Sequence, residues 1–147
     1  MTRTKRAGVA VLAATGMLAA VPAMSMVMGK LPPETKHGAI SYVSGGIGHR
    51  EAAAFRSAES RYPLSLEFIQ RAKPRDEYLA NVHVTIEGRA MESKGKPSEW
   101  KAMANGPYFL AKLPDGAYTI RAEENGQTKV RHVTIAANKP EHVTFEW

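Results

Sequence analysis

Apolar residues recur along this chain with two periods, and the change between them marks a change of structure. Over residues 49–62 alanine and glutamate are frequent, and both favour helix. Phe55, Ala58 and Tyr62 fall at i, i+3 and i+7, one stripe of a helical surface. Pro63 stops that helix, because it has no N–H to donate and its ring blocks the preceding turn. From Leu64 the period becomes two. Leu64, Leu66 and Phe68 alternate with Ser65 and Glu67; Ala80, Val82, Val84 and Ile86 alternate with Asn81, His83, Thr85 and Glu87. Such runs are half-buried strands, with one face in and one face out.

The last forty residues carry the same signal. Phe109, Ala111 and Leu113 share one strand face, and Pro114-Asp115-Gly116 reads as a turn with Gly116 at positive φ. Tyr118, Ile120 and Ala122 carry the next strand. Asn125-Gly126 between two alternating runs predicts a two-residue hairpin, its partner strand running from Gln127 to about Ala136. After Asn138-Lys139-Pro140, Val143, Phe145 and Trp147 alternate with polar residues, which puts Trp147 in the core. Residues 39–47 begin as a short strand and break at Gly45-Gly46. Residues 88–105 are weakly patterned, with short strands expected near 89–92 and 98–103. About six or seven strands separated by turns every 8–12 residues predict a mainly β fold: an antiparallel Ig-like or prealbumin-like sandwich with one N-terminal α-helix.

The first residues follow another logic. Arg3, Lys5 and Arg6 precede an apolar run over residues 7–20, and Val21-Pro22-Ala23 supplies small side chains for a signal peptidase. Residues 1–23 are therefore expected to be a cleaved Sec-type signal peptide, with Ser25 as a second cut point. The chain has no cysteine, so it cannot be a lipoprotein or use a disulfide, a thiolate nucleophile or a Cys-based zinc site. Thr4 and Lys5 separate the arginines, unlike a twin-arginine signal. The destination implied is the periplasm or the exterior, with no membrane span left after cleavage. Cleavage takes the net charge from +6 to +3, too little for the dense basic patch of a nucleic-acid binder. Residues 24–38 show no period and read as a flexible leader. Residues 39–62 form a Gly-rich turn and helix, and residues 64–147 form the sandwich.

The segment Phe109-Leu110-Ala111-Lys112-Leu113-Pro114-Asp115-Gly116-Ala117-Tyr118-Thr119-Ile120 resembles the carboxypeptidase regulatory-like domain, whose strand ends in a leucine-proline-x-glycine turn and resumes with x-Tyr-x-aliphatic. Leu79-Ala80-Asn81-Val82-His83-Val84 resembles that domain's early strand. The resemblance covers about residues 64–147 and implies a transthyretin-like or prealbumin-like sandwich that binds without catalysing.

Candidate chemistry is sparse. Gly45-Gly46-Ile47-Gly48 leads into the helix and can present backbone N–H groups, but it lacks the lysine and hydroxyl residue of a phosphate loop. Gly45, Gly46 and Gly48, with Arg50 and Glu51 at the helix start, are expected to form a recognition surface once Phe55, Ala58 and Tyr62 dock the helix; His49, Arg50 and Arg56 stay outside. Trp100, read as exposed, is a candidate contact for sugar or peptide. His83 and His142, beside Glu87 and Glu146, would make a metal site only if their strand faces join. The two aspartates, Asp76 and Asp115, are explained by a loop and a turn, and Glu123-Glu124 point to opposite faces. No catalytic triad or paired carboxylate emerges. The expectation is a non-enzymatic module with no cofactor, binding an envelope protein, small ligand or glycan. The alternatives are a periplasmic hydrolase using Glu and His, or a carbohydrate- or metal-binding protein that uses Met24, Met26, Met28 and the histidines.

Overall fold

The structure, a computed structural model, describes residues 29–90 and 97–147. The expected signal peptide, residues 24–28 with their methionines, and the end of the strand expected near 89–92 lie outside the described residues. The chain is mainly β, with two sheets packed as a sandwich and one α-helix.

The strands in order are β1 (Thr35–His37), β2 (Ile40–Gly45), β3 (Leu64–Gln70), β4 (Glu77–Tyr78), β5 (Val82–Ala90), β6 (Ser98–Ala104), β7 (Tyr108–Lys112), β8 (Gly116–Glu124), β9 (Gln127–Ile135) and β10 (Glu141–Glu146). The helix α1 (His49–Ala58) continues into a 3-10 turn, Glu59–Arg61. One sheet has the order β1-β2-β7-β3-β10 with β4 added to β3; the other is β6-β5-β8-β9.

Several expectations change here. Ten strands are described, against about six or seven expected, and β1 and β4 are too short to show a period in the sequence. The sandwich is not wholly antiparallel: β10 runs parallel to β3, with Phe145 opposite Phe68. A parallel pair needs a long crossover, and all the strands between β3 and β10 supply it. The sandwich also does not begin at residue 64. β2 lies between β1 and β7, with Val43 opposite Leu110, so the 39–62 segment contributes an interior strand. The expected flexible leader is pinned at its end. Glu34 accepts hydrogen bonds from the Tyr62 hydroxyl at 2.9 Å and from Lys112 Nζ at 2.6 Å.

Two apolar layers result. Between the sheets, Leu64, Leu66 and Phe68 meet Val82, Val84, Ile86, Ile120 and Phe145, with Trp147 packed against them from the rim. These are the inward residues of the alternating runs. The second layer lies between α1 and the outer face of β2 and β7, where Phe55, Ala58 and Tyr62 pack on Val43, Tyr108 and Leu110. β7 is therefore buried on both faces, and Tyr108, Phe109, Leu110 and Ala111 are all inside. A continuous apolar run is what a strand covered on both sides requires.

The expected helix docking is observed, with Arg50 and Arg56 left outside. The expected Asn125-Gly126 hairpin joins β8 to β9, both residues having positive φ (47° and 76°). Gly116 differs from expectation: it is not among the positive-φ glycines but is the first residue of β8, opposite Ala90 and Ile135.

Candidate functional site

β2 ends at Gly45, and the chain turns through Gly46, Ile47 and Gly48 into α1. The turn is tight because Gly46 sits flat on an aromatic ring. It has φ 96°, and any side chain there would run into Tyr108. Gly48 is the helix N-cap and supplies no side-chain cap; its carbonyl accepts the Ala52 N–H at 3.0 Å. Gly46, Gly48, His49, Ala52, Arg56, Tyr78 and Tyr108 together line a pocket of about 290 Å³. His49, Ala52 and Arg56 fall at i, i+3 and i+7, so one helical stripe forms one wall. The opposite wall is tyrosine.

Tyr108 is the centre of this site. Phe55 stacks on it from the helix side, ring centroids 5.9 Å apart. Tyr78 tilts against it from the solvent side at 6.0 Å. The Arg56 guanidinium donates to the Tyr108 hydroxyl oxygen at 3.2 Å. Burial pushes the Tyr108 hydroxyl up to about 12, although the Arg56 bond pulls the other way. The hydroxyl therefore keeps its proton at neutral pH, shared with the Tyr78 side chain, while accepting from Arg56. The same bond raises the Arg56 pKa, so the guanidinium is a permanent cation. Among the described residues Arg56 makes no carboxylate ion pair within 4.0 Å. Tyr78, in the pocket wall, is 61% exposed, and Ile47, in the turn between Gly46 and Gly48, is 66% exposed.

The residues expected from sequence divide here. Gly46 and Gly48 line the pocket. Gly45 lies one residue before it, paired with Tyr108, and a side chain on it would run into the Glu51 carboxylate and Phe55. Glu51 is thus folded over the Gly45 backbone and does not line the pocket. Arg50 points to solvent away from it, and its carbonyl is covered by Gly29. His49 and Arg56 take the places expected of Arg50 and Glu51. Trp100 is corrected outright: it is 8% exposed, set in the inter-sheet core beside Tyr118 and under the Gly38 turn. Trp100, Ala102 and Ala104 alternate with Glu99, Lys101 and Met103 along β6, and the small alanines hide that alternation in the sequence.

His83 and His142 do not meet. His83 is on β5, opposite Glu123, while His142 is on β10 of the other sheet. Among the described residues no three metal-ligating side chains gather closely enough to hold an ion. His142 instead lies beside Ser65, with Ser65 Oγ 2.8 Å from Nδ1. Glu67 is 3.9 Å from its Nε2 and Glu59 4.0 Å from its Nδ1. The sequence reasoning missed this cluster, because β3 and β10 pair across more than seventy residues. Ser65 is only 3% exposed, so its hydroxyl is not offered to a substrate.

A larger pocket, about 420 Å³, lies against β5, β8 and β9. Two of its polar pairs are closed, Glu87 with Arg121 and Thr119 with His132 at 3.0 Å, while Arg89 in the same lining is exposed. It also borders residues 91–96, outside the described residues. The Tyr108 pocket sets a guanidinium beside aromatic rings within a lining made wholly of described residues. Compared with known proteins, the chain matches no family model and no curated protein.

Proposed function

We propose that this chain is an exported, non-catalytic β-sandwich module of the periplasm or cell envelope that binds a small ligand or the end of a partner chain. In this reading it is a domain of the carboxypeptidase regulatory-like kind. The charge and apolar pattern of residues 1–23 supports export. The observation that carries the binding role is the Tyr108 pocket, where the exposed Tyr78 ring shares a lining with a guanidinium that makes no carboxylate ion pair among the described residues. Apolar side chains held in water beside a fixed cation favour a ligand with both characters. A thermal-shift survey of peptides, glycans and small acids tests the role, run in parallel on wild type and an Ile47→Ser/Tyr78→Ser variant. A compound that raises the wild-type Tm but not the variant's supports it. If every stabilising compound acts equally on both, the pocket is not the site.

The second reading is a hydrolase, favoured by the contact between Ser65 Oγ and His142 Nδ1 with Glu67 at the other ring nitrogen. A nucleophile must reach its substrate, and Ser65 is buried. An esterase or peptidase activity lost in Ser65→Ala would establish this reading instead.

A further inference from the structure

Resting on the reading of the Tyr108 pocket as the binding site, we infer that its ligand is a monoanionic carboxylate attached to an apolar or aromatic group. Arg56 presents a planar fork of N–H donors, and its bond to Tyr108, the one it makes among the described residues, leaves others of the fork for a ligand. Parallel N–H groups of a guanidinium fit the two oxygens of a carboxylate.

The charge count argues against a phosphate. Of the residues lining the pocket Arg56 is the one permanent cation, and a single guanidinium balances a single negative charge. The apolar half follows from Tyr78 and Ala52, which offer a ring face and aliphatic surface in the same lining as Arg56. Size excludes a large glycan: about 290 Å³ is at the lower edge of ligand pockets, which run from roughly 300 Å³ upward. Either a free aromatic acid or the C-terminal residue of a polypeptide supplies this chemistry.

Protein made from the full-length gene is titrated calorimetrically with 4-phenylbutyrate, its amide, Gly-Ala-Phe with a free C-terminus, and the same peptide amidated. The inference predicts that at least one acid binds about tenfold or more tighter than its amide, the scale of a hydrogen bond to a charged group. It also predicts that Arg56→Gln removes that preference while the urea midpoint shows the fold is kept. Tight binding by the peptide acid alone identifies a chain end as the source, and by 4-phenylbutyrate alone a small acid. If acid and amide bind equally and Tyr78→Ser abolishes both, the pocket stands and the carboxylate inference fails. If none of the four binds, or Arg56→Gln leaves the preference intact, the inference is overturned.

Discussion

Replacing Phe55 with alanine removes the side chain that ties the helix to the sheet. Phe55 is fully buried, at 0% exposure, and touches the layer formed by Val43, Ala58, Tyr62, Tyr108 and Leu110. Burying a Phe and leaving a cavity in its place brings a cost of about 3–5 kcal/mol. Within that figure, the stack on Tyr108 accounts for about 0.5–1.5 kcal/mol. A ten-residue helix is too short to persist alone in water, so its docking is what keeps it formed. The expected loss is therefore about 3–4 kcal/mol, toward the lower end of the range, because the exposed edge of the helix allows some collapse. Urea unfolding followed by tryptophan fluorescence measures it, with Arg50→Ala as the exposed control, expected within about 0.5 kcal/mol of wild type. A drop in the urea slope would further show that the helix has already come away in the variant's native state. A loss below about 1 kcal/mol, indistinguishable from the control, would refute the account of a helix held by Phe55.

Backbone and charge give further tests. Gly126→Val should destabilise by about 1–2 kcal/mol through its positive φ alone, since no atom lies near a Cβ there, whereas Gly46→Ala should exceed the φ penalty because its Cβ meets the Tyr108 ring; paired urea midpoints compare them. The Lys112 and Tyr62 hydrogen bonds hold the Glu34 carboxyl below the usual carboxylate range. A depressed folded pKa stabilises above the unfolded pKa and is lost as pH falls through the folded one, so Glu34→Gln should flatten the acid limb of a Tm–pH curve. Burial pushes Tyr62 and Tyr108 to about 12, so absorbance titration at high pH should show both ionising well after an ordinary tyrosine. Raised folded values mean that stability is full below pH ~10 and falls as pH rises from ~10 toward 12.

Local features were legible in the sequence. The helix showed itself through its alanines, its stripe and Pro63, and the last hairpin through Asn125-Gly126. These depend on neighbours along the chain. What depends on distant pairing was not legible. β2 sits beside β7, more than sixty residues away, and no period in residues 40–45 states which strand it joins. Tyr108 and Leu110 were missed as a second buried face because only every other residue of that run was assigned inward; the unbroken apolar stretch was the available signal. In the site, the turn glycines were visible because helix entry demands them. The choice of Arg50 and Glu51 over His49 and Arg56 turned on which side of the Phe55 stripe faces the open sheet. That side is set by Tyr78, brought to the pocket from another strand.

The central claim is that the Gly46–Arg56 turn and helix, with Tyr78 and Tyr108, form the binding surface. Amide chemical-shift mapping of the ¹⁵N-labelled protein with a stabilising compound tests it most directly. The account predicts shifts concentrated at Gly46, Gly48, His49, Arg56, Tyr78 and Tyr108. Shifts concentrated instead on β5, β8 and β9, around Glu87, Thr119 and His132, would contradict it.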